Sequence, residues 1–579
     1  MFCITVTRNP IKDNLKSYDV HEITTRNFVI TIVTDNSLSH YVLKHDGFTV
    51  RETPQSEEHQ LDGLMLSEVT CDVKTKRISF FSSTISGRPM YYHLNSQGEF
   101  FCSSHISLLR KAGVEIRENE EVLPEFFIYR YVMPPQTLYK NILRIRNGCR
   151  LHITFSDERC EIHPEDCFNP FEKAGSGESL TPDTIQKQTL DYLYESISVL
   201  HPYKDRLTVL LSGGLDSSLL YKLCNISYGT NKSYSTAYPF QEEKTNLEKE
   251  YALSAAHAFG SHHIFYESSN REYLYGLIKS ISTAEEPVDH LQSVMFYLLF
   301  CNGLPEDKSV ILSGDGADGV WGLRLHNFMY NYYKKKKLYD IASKAPVKTV
   351  LQFVSGITGK GKDFVNSLHL TSKLSRETPP DDPDNIIWNV DSYGSVDWVC
   401  RYFHVRPHDI IVNRWDSIKN FRDRPVYDLI SIIPLFSTAR SIWSKLGEEY
   451  GKTLYYPFHN RNLLEYAYSI NWDTKLENPK NVLRGIASQL GIHDFIITRK
   501  KSGFGVHPEH WARKGCVFEP LVSLALPIFD EKVIRSFQSS DSEKAMTFWN
   551  ILNYSLWKRL CINNEPVDAL LEELEENII

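Results

Sequence analysis

The chain has 579 residues, with 64 Lys and Arg against 72 Asp and Glu and a formal net charge of −8. Hydrophobic residues make up 42% of it and charged residues 23%, ordinary globular proportions that exclude a disordered, collagenous or coiled-coil chain. The mild acidity argues against a nucleic-acid binder, whose signature is a strongly basic domain. The length exceeds what one core usually supports, so we expect at least two domains.

The cysteines and the N-terminus bear on the cellular compartment. There are 11 Cys, and no two are spaced as Cys-x-x-Cys. That pattern favours reduced thiols over a zinc site or a disulfide framework. The first residues, MFCITVTRNP, lack the basic and apolar regions of a signal peptide, and the longest apolar run falls short of the ~20 residues of a membrane span. We therefore expect a soluble cytoplasmic protein with neither membrane nor nucleic acid as a partner.

Short β-like runs separated by turn residues occupy the first part of the chain. They include ITVT, FVITIVT, RISFF, PMYYHL and GEFFCSS, which are rich in β-branched and aromatic residues. The pattern predicts a layered β-rich domain over residues 1–168. Residues 169–185 are rich in Gly, Ser, Pro and charge, which is typical of a linker.

Strand-like and helical patterns alternate from residue 186 onward. A helical stretch, TIQKQTLDYLYESISVL, is followed by the apolar run LTVLL and then by β-like runs at SYSTAYPF, HHIFYES and SVILSG. This alternation predicts a parallel α/β sheet, with a mainly helical region beyond about residue 324. Four lysines at 334–337 follow two tyrosines. A solvated helix face is the favoured interpretation of them, and a surface for an acidic substrate segment is the alternative.

The segment LTVLLSGGLDSSLLYKL carries the most informative motif. An apolar strand runs into Ser-Gly-Gly, and a helix is predicted to start near Asp216 or Ser217. Glycines let a ligand approach the backbone, and a helix N-terminus offers free N–H groups and positive dipole. An ordinary strand–turn–helix capped by Asp216 or Ser217 is the plainer alternative. We predict a pyrophosphate loop, to which we assign Leu211, Ser212, Gly213, Gly214, Asp216, Ser217 and Ser218.

A second loop, VILSGDGADGVWG, has the same design. An apolar strand ends in Ser313 and Gly314, which we assign to the same nucleotide site, and the loop then presents Asp315 and Asp318. The carboxyl ends of parallel strands meet at the edge of the sheet where α/β proteins bind ligands. We therefore expect Asp216 and Asp318 to share Mg²⁺, a cation that prefers carboxylate and phosphate oxygens.

The two loops, together with several other segments, resemble the asparagine synthetase family. This family includes asparagine synthetase B, the β-lactam synthetases and the lasso-peptide cyclases. Residues 211–218 resemble its ATP loop, and residues 313–322 its Ser-Gly-x-Gly-x-Asp loop. The other similar segments are EEP at 285–287, YPF at 456–458, KNVLR at 480–484, RKKSGF at 499–504, SGRPMYYHLNSQGEFFCSS and YVMPPQTLYKNILRIRNG.

The resemblance implies both a fold and a reaction. Residues 1–168 would form an Ntn-hydrolase-like αββα sandwich, and residues 186–579 a PP-loop, Rossmann-like synthetase domain with a helical C-terminal part. ATP and Mg²⁺ would be required, because in this family a carboxylate attacks the α-phosphorus of ATP and an amine then displaces AMP to form an amide. The implied catalytic residues are Lys501, which would neutralise developing negative charge, Asp315 and Glu286.

The sequence also departs from the family. A glutamine-hydrolysing member needs Cys as its mature first residue, whereas here Phe2 precedes Cys3 and the family's Arg-Asp reads Ser82-Ser83. We therefore expect residues 1–168 to lack glutaminase activity. In the second loop Asp315 stands where asparagine synthetases have Glu, which withdraws the carboxylate by ~1.5 Å, enough to change a tuned geometry.

The residues that resemble the family's ATP loop are retained, whereas Asp315, at a position that faces the amine, differs from asparagine synthetases. This combination predicts an amide synthetase whose acid and amine substrates differ from those of asparagine synthetases. Our leading hypothesis is an intramolecular reaction of natural-product biosynthesis, either lasso-peptide macrocyclisation or β-lactam ring closure. Its substrate would be a small molecule or peptide bearing a carboxylate and an amine, and a precursor-processing protease is an expected partner. Synthesis of asparagine from aspartate and ammonia is the first alternative, and an inactive scaffold is the second.

Overall fold

The computed structural model describes residues 2–8, 18–25, 28–34, 39–44, 47–52, 67–83, 88–156, 159–173, 180–237, 247–322, 324–342, 349–350, 382–390, 392–477, 480–499 and 508–578. Of the predicted site residues, Lys501 lies outside these ranges, so its role stays a prediction.

Two six-stranded antiparallel sheets form the N-terminal part, with strand orders β10-β8-β9-β1-β3-β2 and β12-β11-β7-β6-β5-β4. Their strands are β1 (Phe2–Thr7), β2 (Asp19–Thr24), β3 (Val29–Thr34), β4 (Ser39–Lys44), β5 (Gly47–Glu52), β6 (Ser67–Asp72), β7 (Arg77–Ser82), β8 (Tyr91–Leu94), β9 (Phe100–Ser103), β10 (Leu143–Arg144), β11 (Cys149–Phe155) and β12 (Cys160–Asp166).

The alternation of side chains along β1 explains how this part is layered. Phe2, Ile4 and Val6 point into the core between the two sheets. Cys3 points to the opposite face, where it joins the apolar core of the C-terminal part. Helix α1 (Ile106–Lys111) packs on that outer face against β1 and β9. Because side chains alternate with period two, one strand serves two cores.

A five-stranded parallel sheet of order β15-β14-β13-β16-β17 forms the centre of the C-terminal part. Its strands are β13 (Leu207–Leu210), β14 (Lys232–Ala237), β15 (His262–Glu267), β16 (Val310–Leu312) and β17 (Thr453–Tyr455). The chain adds strands on one side of β13 and then on the other, so β13 and β16 flank the switch point where such sheets bind ligands. The predicted fold class is thus confirmed, while the three-residue β17 was not anticipated.

Helices cover this sheet and contain most of the residues that the structure describes after residue 324, as predicted. The remaining described helices are α2 (Leu123–Tyr129), α3 (Pro182–Ser198), α4 (Leu215–Tyr228), α5 (Leu247–Phe259), α6 (Asn270–Ala284), α7 (Gln292–Leu298), α8 (Ala317–Trp321), α9 (Arg324–Lys334), α10 (Lys336–Ala342), α11 (Pro383–Asn389), α12 (Val396–Tyr402), α13 (Pro407–Ile418), α14 (Val426–Leu435), α15 (Ala439–Glu448), α16 (Arg461–Ser469), α17 (Trp472–Leu476), α18 (Asn481–Gln489), α19 (Asp494–Ile497), α20 (Pro508–Trp511), α21 (Leu521–Ala525), α22 (Glu531–Ser536), α23 (Ser542–Trp557) and α24 (Val567–Ile578).

A shared apolar core joins the two parts. The Phe127 ring of α2 contacts the rings of Trp398, Phe529 and Tyr554, with centroids 5.2–6.0 Å apart. The backbone carbonyl of Phe127 also accepts a 2.8 Å hydrogen bond from Asn550 Nδ2. The N-terminal sandwich is therefore packed directly onto the C-terminal helices.

The cysteines and the described helices bear on the predictions of reduced thiols and of no membrane span. All eleven cysteines are free thiols, as expected. None of the described helices is both long enough and apolar enough to cross a membrane.

Candidate active site

The loop after β13 has a conformation that only glycine accommodates. Gly213 has φ +71°, and a Cβ there would clash with the backbone carbonyl of Tyr251. Gly214 is extended and is the N-cap of α4, which begins at Leu215. The helix therefore starts one or two residues before the predicted position near Asp216 or Ser217, and neither residue is the cap that the plainer alternative required, because both lie in the first helical turn. The first amides of α4 face the loop without intrahelical acceptors, as at any helix start.

Hydroxyl groups tie this loop together. Ser217 Oγ accepts a 3.2 Å hydrogen bond from the Ser212 amide and lies 3.1 Å from Ser212 Oγ. It also donates to the Gly214 carbonyl at 3.2 Å. Backbone amides, two hydroxyls and a helix N-terminus thus converge at one strand end, an arrangement suited to phosphate oxygens.

Arg499 binds the backbone of the 211–218 loop. Its guanidinium donates to the Ser212 carbonyl at 3.2 Å and to Glu248 at 3.1 Å. It also stacks on the Tyr251 ring, 3.6 Å from the centroid. Within the RKKSGF segment, Arg499 is therefore a positioning residue for the phosphate loop.

The second loop touches the first, as the sequence predicted for adjacent parallel strands. Val209 of β13 is in register with Leu312 of β16. A Cβ at Gly314 would lie 3.1 Å from the Ser217 amide nitrogen and 3.3 Å from Asp216 Cβ. Glycine at 314 is therefore what lets the two loops approach so closely.

Asp216 and Asp318 converge on the ammonium of Lys480. Lys480 Nζ lies 2.8 and 2.6 Å from the two carboxylate oxygens of Asp216 and 2.8 Å from Asp318 Oδ1. Burial alone would lower the pKa of Lys480, but the two carboxylates outweigh it and raise that pKa. Lys480 is thus a charged group at the centre of the site.

Lys480 was overlooked as a functional residue at the sequence level, although KNVLR was noted as a matching segment. Its backbone is left-handed, with φ +58°, immediately before α18. That strained position directs the side chain to the sheet edge and is not visible in the sequence. The signal that could have found it is a lysine at a helix start inside a matching segment.

The donor set fits a magnesium ion completed by phosphate oxygens. Asp216 and Asp318 supply two hard oxygen ligands that already converge on one cationic group, the Lys480 ammonium. The described residues contain no group of three or more His, Cys, Asp or Glu that could hold a metal ion by itself. Mg²⁺ commonly binds in this way, through one or two carboxylates plus the phosphates of a substrate.

Asp315 lies beside this centre in contact with two buried side chains. Arg440 Nη1 is 3.4 Å from Asp315 Oδ2 and donates to His459 Nε2 at 3.0 Å. Burial, and then the Arg440 charge, hold the pKa of His459 well below its ordinary value, so that His459 is neutral. A Cβ at Gly316, where φ is +94°, would collide with the His459 ring. The Asp315 carboxylate is therefore 36% exposed, and the positively charged Arg440 lies on its buried side.

Helix α15 connects the cluster of Asp315, Arg440 and His459 to the N-terminal sandwich. Arg440 stands at its first turn, and the next residue, Ser441, accepts a hydrogen bond from the buried Arg144 of β10. One turn further on, Lys445 Nζ is 3.1 Å from the carboxylate of Glu285. Glu285 in turn accepts from the amides of α1, at 2.7 Å from Ile106 and 2.9 Å from Ser107.

The structure places Glu286, a predicted catalytic residue, at this contact between the two parts. Its carboxylate accepts a hydrogen bond from the hydroxyl of Tyr91 in β8. The contact described for Glu286 is thus with the sandwich rather than with the two loops, and its catalytic role stays a prediction.

Cys3 is enclosed within the first sheet. It lies in β1 between Val33 of β3 and Ser103 of β9 and has no exposed surface. Burial raises the pKa of its thiol to about 12, although a hydrogen bond with Ser103 opposes the shift. The thiolate that a nucleophilic cysteine needs is therefore disfavoured.

A parallel sheet with two glycine loops, paired aspartates and a lysine at its switch point defines a PP-loop synthetase. Comparison with known proteins identifies the family. A model of the asparagine synthase family matches residues 191–382 and 443–559, more than half of the chain, and a model of the glutamine amidotransferase domain matches residues 57–164. The chain belongs to the asparagine synthase family, whose members form carbon–nitrogen bonds by ATP-dependent amide synthesis.

Curated relatives agree with this assignment. Asparagine synthetase (glutamine-hydrolyzing) 1 of Bacillus subtilis is 21% identical over 514 residues, which cover 85% of this chain and 77% of that protein. A Mycobacterium bovis protein, provisionally named an asparagine synthetase (glutamine-hydrolyzing), is 22% identical over 255 residues. That match covers 43% of this chain and 38% of the mycobacterial protein.

Proposed function

We propose that this chain activates a carboxylate with ATP, releases pyrophosphate and joins the resulting acyl-adenylate to an amine that it takes directly rather than from glutamine. The convergence of the two strand-end loops on Lys480 carries the proposal. A peptide or small molecule that bears both reacting groups is the favoured substrate, as in lasso-type macrocyclisation or β-lactam ring closure.

In the first step an oxygen of the substrate carboxylate attacks the α-phosphorus, the bond to the β-phosphate bridging oxygen breaks, and pyrophosphate leaves. The 211–218 loop would hold the phosphates through its amides and hydroxyls. Mg²⁺ bound by Asp216 and Asp318 would supply positive charge to the phosphate oxygens. Lys480, and Lys501 as the family resemblance implies, would neutralise the negative charge that develops.

In the second step the amine nitrogen attacks the acyl carbon, AMP leaves, and the amine gives up a proton. We assign the acceptance of that proton to Asp315, because its side chain is 36% exposed and lies beside the nucleotide loops. Arg440 and the neutral His459 orient it from the buried side. A side chain one methylene shorter than glutamate suits an amine presented from a different position.

The state of Cys3 favours direct use of an amine. A nucleophilic thiol must be accessible and must ionise near neutral pH. Cys3 is buried in a strand, and its pKa is raised to about 12. The N-terminal sandwich is therefore proposed to be a structural support for the synthetase.

Exchange of labelled pyrophosphate into ATP tests the activation step. Candidate acids are aspartate, β-amino acid derivatives and peptides that carry both an amine and a side-chain carboxylate. Activation of aspartate with ammonia-dependent product would establish the alternative, asparagine synthesis. No exchange with any acid, together with no ATP binding, would leave the inactive scaffold.

The direct use of an amine needs its own test. Cys3→Ala is expected to leave product formation unchanged, and glutamine is expected not to replace the amine. Glutamine-dependent product that disappears in Cys3→Ala would overturn this part of the proposal. Asp216→Ala and Lys501→Ala are both expected to abolish turnover in a folded protein.

A further inference from the structure

A positively charged and partly apolar surface lies on α9 and α10. We call it the lysine patch: Lys334, Lys335, Lys336 and Lys337, together with Tyr333, Leu338 and Ile341. All four lysines are exposed, and the exposed fractions of Tyr333, Leu338 and Ile341 are 40%, 50% and 58%. Four adjacent positive charges contrast with a chain whose net charge is −8.

The inner face of the same helices holds this surface in place. The rings of Phe328, Tyr332 and Tyr339 are buried and contact one another, with centroids 5.9–6.2 Å apart. This ring cluster joins α9 to α10, and α9 in turn packs against α14 and α17. The outward side chains therefore form a defined surface rather than a mobile tail.

The charges near the patch are distributed unevenly. Lys334 lies over the Tyr330 ring, 4.3 Å from its centroid, and is close enough to Asp473 and Glu477 to be influenced by both. These two acidic residues lie near the start of the patch. Lys335 and Lys337 follow, both exposed, and are the lysines that we expect to receive an external carboxylate.

The patch follows the nucleotide site closely along the chain, after α8 and most of α9. Helix α9 begins six residues after Asp318, and at 1.5 Å per residue its eleven residues span about 15 Å. An extended peptide covers about 3.3 Å per residue, so about five residues bridge that span. A peptide segment of about five residues that runs along α9 can therefore reach the patch, and the few residues between Asp318 and Arg324 add to that length.

We propose that the lysine patch binds an acidic segment of a peptide substrate. Carboxylates of the segment pair with the lysines, and an apolar side chain packs on Leu338 and Ile341. The acidic residues lie about five or more positions from the reacting group. The inference rests on the peptide form of the proposed function. A peptide is favoured over nucleic acid because the patch combines apolar side chains with few charges on an otherwise acidic chain.

Charge reversal provides the test. The probe is a fluorescent twelve-residue peptide of Glu, Tyr and Leu, followed by fluorescence anisotropy at about 50 mM and about 300 mM NaCl. We expect Lys335→Glu/Lys337→Glu to weaken binding about tenfold and salt to weaken it in the wild type. The control Lys532→Glu/Lys544→Glu changes the net charge equally at exposed lysines of other helices and should bind as the wild type does.

Three results would overturn the inference. They are equal binding by both double variants, equal binding of a peptide with Lys in place of Glu, and tighter binding of anionic lipid vesicles or single-stranded DNA than of the acidic peptide. Thermal melts establish that the variants fold. Pyrophosphate exchange with a small acid separates the two proposals. Absence of exchange in the wild type refutes the proposed function. Normal exchange, together with unchanged peptide binding by Lys335→Glu/Lys337→Glu, refutes the role of the patch.

Discussion

The ammonium of Lys480 lies 2.6 Å from the carboxylate of Asp216, although 264 positions separate the two residues. Because Asp318 shares the same ammonium, one lysine joins two acidic loops that would otherwise repel one another and cancels one of their two negative charges. The charge of the two carboxylates is therefore partly compensated before any nucleotide is bound, and the electrostatics of the site would change when the carboxylates take a metal.

Removing this lysine should separate its structural role from its chemical role. In Lys480→Ala two neighbouring carboxylates lose their common partner, which is expected to destabilise the protein by about 2–3 kcal/mol. Millimolar Mg²⁺ should restore part of the thermal midpoint by replacing the lost charge, while pyrophosphate exchange falls by about 10²-fold. Scanning fluorimetry with and without MgCl₂ measures the thermal midpoint and its response to Mg²⁺.

The matched control for that experiment adds Asp216→Asn to Lys480→Ala. With one carboxylate neutralised, the response of the thermal midpoint to Mg²⁺ should disappear. An equal response in the single and double variants would contradict a shared cation position.

The two loop glycines near the site should respond differently to alanine. Gly213→Ala places a Cβ against the Tyr251 carbonyl in a left-handed backbone, which costs about 1–2 kcal/mol and displaces the phosphate loop. ATP binding, measured by calorimetry, should be lost or strongly weakened. Gly319→Ala serves as the control, since a Cβ there meets no atom within 4 Å. Normal ATP binding by Gly213→Ala would refute the role of this loop.

Asp315 and Asp318 lie three residues apart and should affect different steps. Asp315→Asn keeps the shape of the side chain but loses the base, so pyrophosphate exchange should stay within a few-fold while amide product falls by about 10²-fold or more. Asp318→Asn should reduce exchange as well, since it removes a proposed metal ligand. Parallel loss of both steps in Asp315→Asn would show that Asp315 acts in adenylation.

The Glu285 carboxylate makes the contact between the two parts of the chain dependent on pH. Burial opposes its ionisation, but Lys445, His105 and hydrogen bonds from Ser107 outweigh this and lower the pKa of Glu285 from 4.5 to about 2. A depressed carboxyl pKa stabilises the fold above pH about 4.5, and the contribution is lost as the pH falls towards 2. Its full size is about 3 kcal/mol.

Urea unfolding of Glu285→Gln measures this contribution. The variant should be less stable than the wild type at pH 7, and the difference should shrink between pH 4.5 and pH 3. Glu121→Gln, at a side chain that is 84% exposed, should show no such trend. A constant difference across this pH range would mean that the ion pair with Lys445 is not responsible.

Much of the site could be predicted because its determinants are local or follow from sheet topology. The Ser-Gly-Gly turn between a strand and a helix predicted the phosphate loop, and Gly213 is left-handed as such a turn requires. The rule that parallel strands end at one edge predicted that Asp216 and Asp318 would meet. The start of α4 was misplaced by one or two residues, because Gly214 caps the helix without a side chain.

Other features depend on contacts that no local pattern encodes. Arg440 reaches Asp315 from the start of α15, 125 positions away, and the residues that pair between β16 and β17 are 143 positions apart. Glu286 was assigned to catalysis from its motif, whereas its described contact is with Tyr91 of the sandwich. The position of Cys3 after Phe2 predicted that the glutaminase activity is lacking, and the structure adds the burial that raises the pKa of the thiol.

The sequence by itself determined the strand-end loops, their glycines and the class of chemistry, because backbone sterics and helix-terminus electrostatics act over a few residues. Only the tertiary structure decided which cation joins the two aspartates, what lies behind Asp315 and how the sandwich contacts α15. Those relationships depend on long-range packing, which brings together charges that are distant along the chain and makes their interactions strong by removing them from water.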